Sequence, residues 1–565
     1  MRAMSSEQLA VELRKRFTGE VRTDSVYRRE YSRDASIFEI TPALVAFPRS
    51  ADDVAAAVRF AHDMKTAGED VSVAARAAGT DMSGGSLTPS IALVFIRHLN
   101  RIGEIGGDFA RVEMGAYYRD FERETLKRGL ILPSYPASRG IAAMGGIVNN
   151  DSGGERTLRY GQTHRYVEEL SVILSDGSRT VFKALPPHEL EAKKKQSDFE
   201  GEIYRRMHAL VFEYAETIAR NEPRTSKNAS GYALWRVADQ ARGTFNLAQL
   251  IVGAQGTLAL VTEAKLRLVK PEPHRAMLII FLDGLEKAPA LVRRVLTFGP
   301  ESFESYDDHT FKLAIRFLPD IMRGLGFSKS IRLGLSFLPE VWMAARGGVP
   351  KLILTAEFAE GTAAAAQAKA SAAAAALAEF KLPLKVARDE RESEKYWLMR
   401  RESFNLLRKD LRGYTAAPFI DDFVVSPDDL PRFLPELNAL LAEYRLIYTV
   451  AGHIGNGNFH IIPLMKLGDP RSREVIFELS EKVYGLVAKY HGSITGEHND
   501  GIIRTPYLSL MFDKEMLALF AETKKIFDPL NILNPGKKVG GTRKDIVHYL
   551  RGAAPAAPDI RNGVI

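Results

Sequence analysis

The sequence predicts an α+β protein built from at least two domains. At 565 residues the chain is too long for one ordinary core. Short apolar runs bounded by Gly, Asp or Asn, strand-like in composition, alternate with amphipathic stretches of helical period. Hydrophobic and charged contents of 45% and 26% are those of a soluble globular chain.

Composition also excludes several classes. There are no cysteines, which removes disulfides, thiolate metal sites, iron–sulfur clusters and a cysteine nucleophile together. A net charge of +7 and a pI near 9.2 could suit nucleic acid, an anionic membrane surface or an acidic substrate. Lys and Arg are scattered, with no stripe interleaved with aromatics, so nucleic acid is set aside. Lys193-Lys194-Lys195 reads as a solvated loop. Met1 to Arg16 mixes charges with short apolar runs and lacks the continuous apolar region of a secretory signal. No run reaches the ~20 apolar residues of a spanning helix, Leu333 to Val349 being short and broken by Gly and Pro. The expectation is a cytoplasmic protein.

Taken in order, Glu7 to Phe17 is a short helix candidate. Ser50 is a candidate N-cap, with Asp52 and Asp53 in the first turn and Val54, Ala57, Val58 and Ala61 at helical spacing after it. Val71 to Ala75 reads as a strand and runs into Arg76-Ala77-Ala78-Gly79-Thr80-Asp81-Met82-Ser83-Gly84-Gly85. Consecutive N–H groups in a Gly/Ser/Thr-rich turn after a strand form an anion-binding nest, and small side chains let diphosphate oxygens approach. A second cluster, Gly145-Gly146 to Asn150-Asp151-Ser152-Gly153-Gly154, follows Tyr135-Pro136-Ala137-Ser138. Between these markers Ile91 to Ile96, Ala110 to Met114, Glu169 to Leu174 and Arg179 to Phe182 read as strands, the last two joined by the turn Ser175-Asp176-Gly177-Ser178. This unit ends near Pro271-Glu272-Pro273.

A new unit opens at Ala276. Met277 to Leu282 and Ser302 to Tyr306 read as strands around an amphipathic helix, Lys287 to Phe298. Lys351 to Glu357 and an Ala-rich helix, Thr362 to Phe380, repeat the order. Alanine is the strongest helix former, and this helix is read as an ordinary exposed one. Tyr396-Trp397-Leu398-Met399-Arg400-Arg401-Glu402 lies on a further helix.

The stretch richest in chemistry runs from Val450 to Pro506. His453 and His460 flank three glycines, a density that disfavours a helix, so they are loop or strand-end residues. Arg473 to His491 is an amphipathic helix that returns the chain to Gly496-Glu497-His498-Asn499-Asp500-Gly501. Divalent ions such as zinc favour imidazole nitrogen and carboxylate oxygen, with three protein ligands at catalytic sites. His453, His460 and Glu497 supply such a set and leave His498 beside it as a base; a plain Gly-rich turn is the competing reading.

Together these motifs resemble the FAD-linked D-2-hydroxyacid dehydrogenases, the D-lactate, glycolate and D-2-hydroxyglutarate group of the vanillyl-alcohol-oxidase flavoproteins. The pyrophosphate loop RGxGTxxxGG is matched from Arg76 to Gly85, with Ala77 for the first glycine. HxGDGNxH is matched with Asn456 for Asp, GEHGxG with Asn499 for Gly, and GxEGTLGxxT from Gly253 to Thr262 with Gln255 and Ala259 departing. Asp528 to Lys537 copies the family's terminal signature, and Lys227 to Tyr232 matches a segment near the flavin.

The resemblance implies a two-lobed FAD-binding domain over residues 1–272, an antiparallel-sheet cap covered by helices and carrying the metal motifs over 273–520, and a segment over 521–565 that returns to the flavin. It implies FAD on Arg76, Ala78, Gly79, Thr80, Asp81, Ser83, Gly84 and Gly85 at the diphosphate. Pro136, Ser138, Gly145, Gly146, Asn150 and Gly153 would follow along the ribityl chain and ring edge, with Gly256, Val261 and Asn534 beyond. It implies a divalent metal, zinc first with Mn or Fe as alternatives, on His453, His460 and Glu497. His498 would be the catalytic base and Arg400 the substrate-carboxylate binder, with Arg401 the neighbouring candidate.

The implied reaction oxidises a D-lactate-like 2-hydroxy acid to the 2-oxo acid, the proton going to His498 and the hydride to flavin N5. The rivals are an oxidase of another alcohol and a flavin-binding subunit of a multi-subunit glycolate-oxidising complex. The implied partners are the small anionic substrate and a quinone or electron-transfer protein as acceptor. Peripheral association with the inner face of a membrane and a homodimer are compatible with both.

Overall fold

The computed structural model describes residues 4–284, 286–307, 350–407 and 414–552, with backbone only at 399 and 401–407. The apolar run Leu333 to Val349, the Arg401 side chain and the tail beyond Gly552 lie outside them. Among the described residues no helix is long and apolar enough to cross a membrane.

Three sheets organise the chain. In the first, Leu44–Phe47, Ile91–Val94 and Val73–Arg76 pair in parallel, and Glu20–Arg22 joins Leu44–Phe47 antiparallel. Leu44–Phe47 and Ile91–Val94 are buried throughout and contain no polar residue, as parallel strands covered on both faces require. The helix Ala51–Thr66 starts where expected, the Ser50 hydroxyl accepting the Asp53 amide at 3.4 Å. The second sheet is antiparallel, in the order Ile102–Ile105, Phe109–Glu113, Leu260–Arg267, Val167–Ile173 and Arg179–Lys183.

The third sheet is also antiparallel and has eight strands among the described residues. Its order is Leu384–Val386, His274–Leu282, Leu352–Glu360, Ser302–Asp307, Ile447–His453, Asn458–Met465 and Thr415–Ala416, with Phe423–Val424 also on Asn458–Met465. The helix Ala363–Ala376 packs on His274–Leu282 and Leu352–Glu360. Most of it is exposed, as expected from its composition, while Ala366, Ala370 and Ala373 form one fully buried face. Side chains that end at Cβ let the helix backbone approach the sheet closely, so an alanine face serves here as a packing face.

The chain finally returns to the first sheet. The Val73 amide donates to the Ile532 carbonyl at 2.8 Å and the Asn534 amide to the Val73 carbonyl at 2.9 Å, which pins residues 532–534 behind the strand that ends in the first glycine loop.

Where the third sheet meets the first half of the chain, Glu301 and Glu357 face Arg275 of the same sheet and Arg156 and Tyr160 from across the junction. Arg275 Nε lies 3.0 Å from Glu301 and 3.5 Å from Glu357, and the Trp397 indole donates to Glu357 at 3.0 Å. Burial, reinforced by the Glu301 charge and opposed by the Trp397 hydrogen bond, pushes the Glu357 carboxyl up to about 7. Folded protein therefore holds a proton that unfolded protein releases near its ordinary value of 4.5, and stability falls as pH rises from there towards 7. Glu357→Gln, which still accepts from Trp397, should raise the melting midpoint relative to wild type at pH 8 and not at pH 5. The same difference at both pH values would refute this linkage.

Candidate active site

Ile447–His453 and Asn458–Met465 form a hairpin whose turn closes at Gly457, φ 68°. A Cβ there would lie 1.7 Å from the Val425 carbonyl oxygen, so only glycine fits. His453 pairs with Asn458 and Ala451 with His460. Side chains alternate along a strand, so His453, Asn458 and His460 share one face of the hairpin.

The second arm is the loop after the helix Pro470–Lys489. Asp422 holds it: one carboxylate oxygen accepts the Thr495 hydroxyl at 2.6 Å, the Glu497 amide at 2.8 Å and the His498 amide at 2.7 Å. The loop thereby sets Glu497 among the imidazoles. Glu497 Oε1 lies 3.4 Å from His453 Nε2, 3.7 Å from His460 Nε2 and 3.9 Å from His498 Nε2.

Each ring is oriented from behind. His453 Nδ1 meets Glu304 at 2.7 Å, and His460 and His498 meet the two oxygens of Asp421 at 3.0 and 2.7 Å. A carboxylate on Nδ1–H fixes the tautomer and leaves Nε2 to face Glu497. The other Glu497 oxygen accepts Lys227 Nζ at 2.8 Å, and that lysine is fully buried and also reaches Asn458 Oδ1 at 3.2 Å.

The charges follow from this packing. Burial favours a neutral Glu497, but Lys227 and His453 outweigh it and hold the carboxyl well below the usual range. Burial likewise lowers His460, with Asp421 opposing only in part. His453 is raised because Glu304 overcomes its burial. For His498 burial is overcome by Asp422 and Asp421, which push it up to about 9.

A cavity of about 500 Å³ leads to this cluster. Arg76, Ala78, Gly79, Thr80, Asp81 and Gly85 line it, with Gly145, Gly146, Asn150 and Gly153 of the second glycine cluster and Pro136, Ser138, Gly256 and Val261. Arg400, His460, Glu497 and His498 belong to the same lining. Ser83, Gly84 and Asn534, expected at the cofactor, are outside the lining. Gly84, φ 80°, faces Phe38 and Ile502, and Asn534 braces the loop by donating to the Gly85 and Gln255 carbonyls at 2.7 and 2.8 Å. Asp81 accepts the Ser83 and Gly85 amides at 3.0 and 2.7 Å, so part of the expected nest is satisfied internally. The amides of Ala78, Gly79 and Thr80 make no hydrogen bond among the described residues and are the donors available to a diphosphate.

Glycine sets the bore of this cavity. A Cβ at Gly145 would lie 2.8 Å from the Met114 carbonyl and one at Gly153 2.6 Å from Thr157 Oγ1, whereas at Gly146 it would meet no atom within 4 Å. A glycine-lined cleft with amides unbonded among the described residues fits FAD. The His453, His460 and Glu497 donor atoms lie within 4.8 Å of one another, which fits a divalent ion. Asp421–His460–His498 and Asp422–Glu497–His498 are comparably close. Asp421, however, is engaged by two imidazoles and Asp422 by the loop, so His453, His460 and Glu497 are the better donor set.

Arg400 is buried on the helix Glu390–Leu407, its Nη2 3.3 Å from Glu304 Oε2. Four residues of this centre were not legible as such in the sequence: Lys227, Glu304, Asp421 and Asp422. Lys227, in the segment matched to the flavin surroundings, sits beneath Glu497 and does not line the cavity. Two adjacent carboxylates inside Phe419-Ile420-Asp421-Asp422-Phe423, an otherwise apolar context, were the available signal.

Residues 42–183 match the FAD binding domain family, and residues 271–538 the C-terminal domain of FAD linked oxidases. The chain is 28% identical over 530 residues to D-2-hydroxyglutarate dehydrogenase of Escherichia coli, covering 92% of this chain and 50% of that protein. It is 25% identical over 518 residues to D-lactate dehydrogenase of Archaeoglobus fulgidus, covering 90% and 96%. Among solved structures, 4-ethylphenol oxidase from Gulosibacter chungangensis has the same fold at a TM-score of 0.67 and 14% identity, covering 96% of this chain and 99% of that one. Fold and domain content define a flavoprotein of the vanillyl-alcohol-oxidase type. Its two matched domains are those of FAD-linked oxidases, and the chain is similar to proteins of the D-2-hydroxyacid dehydrogenase group. The chain spans about half the length of the first of these relatives.

Gly146 offers a direct check on the cavity. Gly146→Leu starts a side chain from a Cβ that would meet no atom within 4 Å, at a residue that lines the cavity, so the protein should fold with its melting midpoint little changed and lose its flavin absorbance. Full FAD loading in this variant would show that the cofactor lies elsewhere.

Proposed function

We propose that the chain oxidises a D-2-hydroxy acid of the D-lactate type to the 2-oxo acid, using FAD and a divalent metal held by His453, His460 and Glu497. The observation that carries this reading is the cluster of three imidazoles, a carboxylate and a buried arginine, of which His460, His498, Glu497 and Arg400 line the cavity. The relatives' activities on D-2-hydroxyglutarate and D-lactate support it. A quinone or an electron-transfer protein is the proposed electron acceptor.

Arg400 would take the substrate carboxylate, a guanidinium matching it with two parallel hydrogen bonds. His498 Nε2 faces the cavity with Nδ1 anchored on Asp421, and it would accept the hydroxyl proton. The ring must be neutral for this, whereas Asp421 and Asp422 favour its cation; positive charge bound at Glu497 opposes that preference. Bound FAD supplies the two-electron acceptor for the hydride from C2, and a bound divalent ion lowers the pKa of the hydroxyl. The C–H electron pair thus leaves with the hydride, the O–H proton ends on His498, and a 2-oxo acid remains. Imidazole and carboxylate donors in threes favour zinc.

The substitutions should fail in different ways. His453→Ala, His460→Ala and Glu497→Ala should each lose bound metal and, with it, substrate affinity and turnover. His498→Ala should keep metal and FAD and reduce flavin about 10²–10⁴-fold more slowly. Metal analysis paired with anaerobic flavin bleaching by D-lactate, glycolate and D-2-hydroxyglutarate separates these outcomes. Wild-type protein that holds no divalent metal and bleaches normally with chelator present would sink the metal mechanism.

Arg400→Lys should weaken binding of the reactive acid by ~2 kcal/mol without changing FAD content. An unchanged KM would remove Arg400 from the substrate site.

A further inference from the structure

Glu304 stands between two groups that the proposed chemistry uses, and it touches both. It lies on the strand Ser302–Asp307, 1% exposed, with Oε1 2.7 Å from His453 Nδ1 and Oε2 3.3 Å from Arg400 Nη2. The three residues come from separate segments. Ser302–Asp307 pairs with Ile447–His453 through Ser305↔Gly452 and Tyr306↔Ala451, while Arg400 arrives on the helix Glu390–Leu407. Neither His453 nor Arg400 can shift relative to the other without lengthening one of the two contacts.

A 2-hydroxy acid carries its carboxylate and hydroxyl on adjacent carbons. The group that binds the first and the ligand set that binds the second must therefore be held at one short, fixed separation. We propose that Glu304 is the positioning residue that sets this separation, one oxygen holding the metal ligand His453 and the other the carboxylate anchor Arg400. On His453 it fixes the ring and raises the basicity of Nε2. On Arg400 it forms an ion pair with Nη2, which ties the guanidinium to the same carboxylate that holds His453. This inference rests on reading the site as a metal-assisted 2-hydroxy acid oxidase.

The test uses full-length, FAD-loaded protein and two probes: zinc, titrated against a competing chelator, and pyruvate, followed by its perturbation of the flavin spectrum in zinc-saturated protein. Glu304→Gln keeps the shape and removes the charge. It should weaken zinc about 10–100-fold and pyruvate roughly tenfold or more, while FAD content and the melting midpoint of the zinc-free protein stay at wild-type values. Glu304→Asp, one carbon shorter and still charged, cannot reach both partners and should lose at least one of the two affinities. Either variant retaining both, or losing only FAD and thermal stability, overturns the proposal. Wild type that takes up no zinc overturns the metal reading as well, whereas wild type and Glu304→Gln binding zinc and pyruvate equally overturns this inference alone.

Discussion

The centre depends on a carboxylate that does not line the cavity. Asp422 is fully buried, with φ 70°, a conformation that costs a non-glycine residue ~1–3 kcal/mol. It is held there by what it accepts: the Glu497 and His498 amides and the Thr495 hydroxyl on one oxygen, and Asn458 Nδ2 at 3.1 Å on the other. Charge-assisted hydrogen bonds to backbone amides are among the strongest available to a protein, and several on one carboxylate can offset both its burial and its strained backbone. Through them the hairpin carrying His453 and His460 and the loop carrying Glu497 and His498 become one rigid unit.

Around that carboxylate, unlike charges meet at short range. Glu304 meets His453 and Arg400, Glu497 meets Lys227, Asp421 meets His460 and His498, and buried Arg504 donates to the Asp421 and Asn499 carbonyls at 2.7 and 3.0 Å. A buried charge without a partner is expensive, and removing one member of a buried pair leaves the other uncompensated. Such a network is a poor source of net stability and a good source of fixed geometry. It holds three Nε2 atoms close to one carboxylate oxygen.

The cavity obeys a different rule. Its lining includes glycines at 145, 146 and 153 and a turn at residues 78–80 whose amides make no hydrogen bond among the described residues. Where a ligand must lie along the chain itself, the residue that matters is the one with no side chain. The returning segment at 532–534 closes this arrangement from behind, its Asn534 gripping the carbonyls of Gly85 and Gln255.

Local chemistry determined much of this protein from the sequence alone. Apolar periodicity located the strands and helices to within a few residues, Ser50 marked a helix start, and glycine density announced both the cavity and the strand-end histidines. His453, His460, Glu497 and His498 were visible because they fall within one stretch. The tertiary structure decided the rest. Which Glu497 oxygen faces the imidazoles follows from Lys227, 270 residues away, and the orientation of His453 follows from Glu304, 149 residues away. That Ser83 and Gly84 lie outside the cavity lining, and that one face of the alanine helix packs on the sheet, are likewise set by neighbours remote in sequence. The physical reason is one of range: hydrophobic period, capping and backbone freedom act over a few residues and are written locally. The pairing of buried charges acts across space, and a carboxylate in the sequence carries no mark of the partner that folding brings to it.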